Sequence, residues 1–168
     1  MGLMLQKATR TAAAEDWHAK PLQERPGFLI RRLHQIHTAL FLEECAGETI
    51  TPVQYSILSA LDQMGVAEQI ALARAVGLDT TNVADVLARL ERQKLVRRRV
   101  SQRDKRMKAV TLTDSGRALL QRVDAGAARA HERTLAALAP KARARFMRDL
   151  SKLVAFNNDI SRIPVGLR

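Results

Sequence analysis

Ten basic side chains crowd the twenty positions from Arg89 to Lys108, at 89, 92, 94, 97, 98, 99, 103, 105, 106 and 108, against only Glu91 and Asp104, a net of +8. Charge at that density attracts a polyanion. It is also local, since residues 1–84 carry 7 basic and 9 acidic side chains whereas residues 85–168 carry 21 and 8. Just ahead of the run stands Asp79-Thr80-Thr81-Asn82. Hydroxyls and an amide can donate and accept at base edges, and threonine methyls can meet the methyl of thymine. A solvated helix face is also rich in charge, so the elements that carry these residues decide between the two readings.

Residues 69–88 meet the needs of a helix-turn-helix. Ala73 is small enough for a close helix crossing, Gly77 tolerates the positive φ of the turn, and Leu72, Val76, Leu78, Val83 and Val86 supply the buried set. Asp79 is placed to cap a second helix running to about Gln93. Leu95–Val100 and Lys108–Thr113 are β-leaning runs separated by the polar stretch Ser101–Met107, which predicts a hairpin. A basic hairpin directly after such a helix pair makes a winged helix-turn-helix. The flanks are helical by periodicity and capping. Leu29, Ile30, Leu33, Ile36, Leu40 and Phe41 form a stripe over 28–44, and Thr51-Pro52-Val53-Gln54 is a capping box that opens a helix to about Met64. A short helix is expected from about Ala67 to Val76, a long one from about Ser115 to Leu138 capped by Thr113, and a last one from Pro140 to about Ile160.

The expected fold is therefore mainly α with a small β-hairpin wing. A winged helix-turn-helix DNA-binding domain spans 51–113, a helical dimerisation region spans 25–50 and 114–163, and 1–24 is an N-terminal arm. A partner subunit is expected because the apolar stripes of the terminal helices exceed what one small winged domain can cover. Two copies about a two-fold axis would set their reading helices about 34 Å apart on a pseudo-palindromic site in double-stranded DNA. On the reading helix, Thr80, Thr81, Asn82, Asp85 and Arg89 are the candidate contacts. In the wing they are Arg97, Arg99, Arg103, Lys105 and Arg106, aimed at the backbone or the narrow minor groove. Strand alternation lets only some of Arg97, Arg98 and Arg99 face DNA, and Asp104 is expected to orient Arg106 by an ion pair.

Composition narrows the alternatives. At 168 residues, 46% hydrophobic and 27% charged, the chain suits one globular domain rather than a disordered one. No apolar run approaches the roughly 20 residues of a membrane span, and Met1–Leu5 is too short for a signal-peptide core, so a cytoplasmic protein is expected. No glycine-rich phosphate loop, nucleophile elbow or zincin helix is present, so no enzyme is expected. His34 and His37 have a permitted metal spacing, but no further ligands complete a cluster, and neither metal nor cofactor is expected. The single cysteine, Cys45, is either a peroxide-sensing thiol or, as its lack of cationic neighbours favours, an inert buried one. The charge alone would also permit a non-specific nucleic-acid-binding or packaging protein. Only 4% aromatic residues, with no stacking platform, argue against it.

The runs Leu78-Asp79-Thr80-Thr81-Asn82-Val83, Leu87-Ala88-Arg89-Leu90-Glu91, Leu95-Val96, Asp104-Lys105-Arg106 and Leu112-Thr113-Asp114-Ser115-Gly116 together resemble the MarR family of bacterial transcriptional regulators over about residues 28–160. The most specific parts are the wing's Asp-x-Arg and the following Leu-Thr-x-x-Gly. The resemblance implies an obligate homodimer on palindromic operators, usually a repressor released by a small, often aromatic, ligand. Many members carry arginine where this chain has Asp85, which could instead accept from a cytosine amino group or remain solvated. The stretch from Arg25-Pro26-Gly27-Phe28 through His37 is similar to the branch that governs aromatic-acid breakdown. Arg31, His34, His37, Phe41 and Tyr55 are accordingly the candidate ligand residues for an aromatic acid or its CoA thioester. Arg31 or a histidine would face the acid, with the rings of Phe41 and Tyr55 packed on the ligand.

Overall fold

The computed structural model describes residues 15–100 and 108–160 and divides into two compact units, one ending at Gln35 and the other starting at Ile36. In the first unit a short 3-10 turn, Leu22–Glu24, precedes α1 (Pro26–Glu44), which continues into the second unit. Before it, Lys20 Nζ sits 5.1 Å over the half-exposed Trp17 ring.

The second unit holds α2 (Pro52–Met64), β1 (Val66–Glu68), α3 (Gln69–Val76), α4 (Thr80–Arg92), β2 (Val96–Val100), β3 (Lys108–Leu112), α5 (Asp114–Thr134) and α6 (Pro140–Phe156), with a closing 3-10 turn at Asn158–Ile160. Its helix starts are written in local chemistry. Thr51 Oγ1 accepts from Gln54 N at 3.2 Å while Gln54 Oε1 accepts from Thr51 N at 2.9 Å, completing the capping box. Asp79 and Thr113 cap α4 and α5 through the backbone N–H groups of Asn82 and Gly116. Gly77, at φ 68°, closes α3 in the left-handed conformation.

The sheet is antiparallel with order β1-β3-β2. Ala67 is opposite Val110, and Val96 opposite Leu112. Three boundaries differ from the periodicity. Val66–Glu68 is a strand rather than the start of α3, because β3 offers its backbone as a partner; three residues are too few to show a period. The α5 helix ends at Thr134, where Leu135 N shares the carbonyls of His131 and Glu132 and the chain tightens ahead of Pro140. The last helix ends at Phe156 and finishes in the 3-10 turn.

Ile57, Leu58 and Leu61 of α2, Leu72 and Ala73 of α3, Val83, Leu87 and Leu90 of α4, Val96 and Val110 of the sheet, and Leu119, Leu120 and Val123 of α5 make one buried cluster. Thus α3, α4 and the wing root are seated on the same core. No described helix is long and apolar enough to cross a membrane.

Candidate nucleic-acid interface

Burial on α4 recurs at Val83, Leu87 and Leu90, a spacing that turns one stripe of the helix inward. The other side is left to solvent. Thr80, Thr81, Asn82, Asp85 and Arg89 are all exposed; Thr81, Asn82, Asp85 and Arg89 share the outward face by helical spacing, and Thr80 is exposed at the open first turn. Ala73 lies fully buried, as the close crossing of α3 on α4 demands, whereas Val76, Leu78 and Val86 are partly buried at its edge. Two contacts set the first turn of α4. The side-chain nitrogen of Asn82 donates to the Asp79 carboxylate, and Gln69 Nε2 donates to the Thr80 carbonyl oxygen at 3.0 Å. Gln69 had no signal in the sequence, because its partner is a backbone atom in the next helix.

On β2 the arginines divide by strand alternation. Arg98 turns toward α4, where its Nε donates to Glu91 Oε2 at 2.7 Å and its Nη2 lies 2.5 Å from the same oxygen. Its backbone N–H donates to Glu91 Oε1 at 3.2 Å. The Arg98 guanidinium thereby holds the Glu91 carboxyl below the usual carboxylate range. Arg97 and Arg99 are exposed. Arg103, Asp104, Lys105 and Arg106 lie outside the described residues. At the hinge between helix and wing, Lys94 adopts φ 60°, and Leu95 N returns to the Leu90 carbonyl at 2.9 Å. This is a helix stop in which lysine stands where glycine is usual.

The candidate ligand residues fall in both units. Arg31 and His34 belong to the first, where both are exposed and the Arg31 guanidinium lies 5.4 Å from the Phe28 ring. In the second, His37 Nδ1 and Thr134 Oγ1 are 2.9 Å apart, and the His37 ring stacks on His131 at 5.1 Å. Phe41 is only 1% exposed and leans on Tyr55 with ring centroids 5.4 Å apart. That contact belongs to the core. Tyr55 is partly buried, and its hydroxyl donates to Asp124 Oδ1 at 3.2 Å. Burial pushes that hydroxyl's pKa up and the facing carboxylate adds to the rise.

Nearby, Cys45 is buried where α1 crosses α5, with Sγ 3.9 Å from the Val123 carbonyl, and burial pushes its thiol up. Arg129 Nε donates to Glu44 Oε2 at 2.6 Å, and Arg133 Nη1 reaches Glu43 at 2.9 Å and Glu44 at 2.7 Å, tying the end of α1 to α5. Among the described residues no group of three or more His, Cys, Asp or Glu side chains could hold a metal.

The MarR family matches residues 50–108, the interval from α2 to the wing. The chain is 32% identical over 117 residues to the HTH-type transcriptional repressor NicR of Pseudomonas putida, covering 70% of this chain and 74% of that protein. Among solved structures it resembles the PcaV transcriptional regulator of Streptomyces coelicolor in complex with its natural ligand. The identity is 36% and the TM-score 0.74, over 82% of this chain and 96% of that one. It also resembles BpsR of Bordetella bronchiseptica, whose DNA binding is regulated by 6-hydroxynicotinic acid, with 29% identity, a TM-score of 0.75, and coverage of 81% and 98%.

Proposed function

Because the chain belongs to the MarR family and is a transcriptional repressor of that kind, a DNA-binding protein and not an enzyme, we propose that it acts as a homodimer on a pseudo-palindromic operator and is released by a small aromatic acid or its CoA thioester. The observation that carries the reading is the outward face of α4, where Thr81, Asn82, Asp85 and Arg89 are exposed together with Thr80 at the first turn, beside a strand whose Arg97 and Arg99 are exposed as well. The first set would read base edges and the second would supply phosphate contacts, joined by Arg103, Lys105 and Arg106 of the wing. Residues 51–113 would be the reading head, 25–50 with 114–163 the dimerisation region, and 1–24 an arm; the protein would work in the cytoplasm.

The dimer is supported by apolar surface on α6, where Met147, Leu153, Val154 and Phe156 are exposed, Phe156 at 86%. Leu29, Ile30, Ile36 and Leu42 of α1 are exposed too. A second copy would cover such surface. A small-molecule effector is supported by PcaV, solved with its natural ligand, and the aromatic-acid class by BpsR, whose DNA binding 6-hydroxynicotinic acid regulates. Arg31, His34 and His37 could face the acid group, and His37 already bridges α1 to α5 through Thr134. A ligand that drew His37 away would favour another arrangement of the two helices and move the reading heads off their half-sites. Tyr55 could flank the ring, with Phe41 supporting it from the core.

Sedimentation of the free protein and of its complex with a selected operator, repeated with monocyclic aromatic acids and their CoA thioesters, tests this directly. A dimer that leaves the operator when one such acid is added is expected, with the response lost in Arg31→Ala or His37→Ala. If both variants respond as the wild type does, the ligand site lies elsewhere; a monomer on DNA would contradict the dimer.

A further inference from the structure

Two side chains from outside α4 hold its first turn. Gln69, at the start of α3, donates from Nε2 to the Thr80 carbonyl at 3.0 Å. Asp79, in the turn, takes two donors from a single residue: the backbone N–H of Asn82 on Oδ1 at 2.8 Å, and the Asn82 side-chain nitrogen on Oδ2. An ionised carboxylate only accepts, so it is the nitrogen of the Asn82 amide, not its oxygen, that turns to the cap. The same carboxylate also holds the Asn82 backbone N–H, and therefore the amide proton it takes is the one on the Cβ side, nearer the main chain.

The opposite edge of the amide, Oδ1 beside the second N–H, has no partner among the described residues and belongs to an exposed side chain. An acceptor and a donor side by side in one plane complement adenine, which offers N6–H and N7 in the major groove. Guanine offers two acceptors there and would set O6 against Oδ1. The two threonines before Asn82 carry hydroxyls that rotate freely between donor and acceptor, so they impose no such pattern.

Resting on the reading of α4 as the helix that enters the groove, we propose that Asn82 reads an adenine in each half-site. Asp79 is the positioning residue that presents its acceptor–donor edge, and Gln69 fixes the backbone of that turn. Without Asp79 the amide turns about its last torsion and offers the two edges in mixture, so base preference falls before affinity does. A serine at position 79 keeps a helix cap but has no second oxygen for the side-chain nitrogen.

The test is selection from a random duplex library with the full-length wild type, Asn82→Ala, Asp79→Ser and the double variant, beside side-chain amide spectra of the free ¹⁵N-labelled protein. The wild type is expected to prefer adenine over the other bases at one position per half-site by roughly 5- to 150-fold. Asn82→Ala should abolish that preference. Asp79→Ser should lower it at least threefold (~3, well inside the range of one bidentate contact), and should change nothing further in the Asn82→Ala background. In the free wild type, one Asn82 amide proton should exchange with solvent more slowly than its geminal partner, and Asp79→Ser should equalise the two.

Preference unchanged in Asn82→Ala, or an Asp79→Ser effect that persists without Asn82, overturns the proposal. So do equal exchange rates in the wild type, a readout that needs no variant to fold. A wild type that selects no sequence at all contradicts the regulator reading itself. A selected operator with no adenine dependent on Asn82 contradicts only this contact.

Discussion

Arg98 Nε donates to Glu91 Oε2 at 2.7 Å, and the Arg98 backbone N–H donates to the other oxygen of that carboxylate at 3.2 Å. The last turn of α4 therefore grips the first strand of the wing at a side chain and at the main chain. Arg98 is occupied by this contact, which leaves Arg97 and Arg99 as the exposed cations of the strand.

The pair has a pH signature. A carboxyl held low in the folded state, as Glu91 is, contributes stability above its unfolded pKa of about 4.3 and loses it as pH falls through the lower folded value. Both side chains are partly exposed, at 22% for Arg98 and 38% for Glu91, so solvent screening limits the coupling to about 0.5–1 kcal/mol. A urea-unfolding cycle of Glu91→Gln and Arg98→Met should return that value at about pH 7 and lose it progressively as acid protonates the folded-state carboxyl. A coupling that persists in acid would mean the ion pair is not its source.

Two glycines of α5 sit where another chain segment leaves no room. A Cβ on Gly116 would lie 2.0 Å from the Leu95 carbonyl oxygen, whereas one on Gly47 meets nothing within 4 Å. Gly116→Ala should therefore cost about 3 kcal/mol or more by forcing the wing root off α5, and Gly47→Ala should lie within about 0.5 kcal/mol of wild type. Gly126, whose added Cβ would come 2.6 Å from the Glu44 carbonyl, should behave like Gly116. Thermal melting of the three variants checks the order.

Lys94 is strained in the opposite sense, holding a side chain at φ 60° in the left-handed region. Lys94→Gly removes the Cβ clash at some gain in unfolded-chain entropy, and the net should be a stabilisation of about 0.5–1 kcal/mol. An unchanged or lower urea midpoint would contradict it.

Cys45 should be chemically silent. Its sulfur is buried between α1 and α5 and its thiol is pushed up by burial, so the reactive thiolate is scarce. Labelling by a thiol reagent is expected only after unfolding, and peroxide should leave operator binding unchanged. Rapid native labelling would contradict this and return Cys45 to consideration as a sensor.

What the sequence made legible is what local chemistry decides. The caps at Thr51, Asp79 and Thr113, the turn at Gly77 and the alternation of Arg97, Arg98 and Arg99 all depend on residues within a few positions, and all stand in the structure. The strand at Val66–Glu68 was hidden because its reason for being extended is Thr111 and its neighbours, far along the chain. Glu91–Arg98 and Gln69–Thr80 were hidden for the same cause, since each joins two elements whose relative placement no periodicity encodes. Phe41 illustrates the converse. Its spacing put it correctly on the inner stripe of α1, but spacing does not tell a core ring from a ring exposed to a ligand, and its burial puts it in the core.

The central claim is that this chain recognises a DNA sequence, and the most direct measurement is its affinity for the selected operator and for scrambled duplex across a salt series. The operator is expected to bind about a thousandfold or more tightly, with half-sites one helical turn apart. Loss of Arg97 or Arg99 should reduce the salt slope by about one each, and loss of Arg98 should leave it nearly unchanged. Equal, steeply salt-dependent binding to both duplexes would contradict the claim and leave a protein that binds nucleic acid by charge alone.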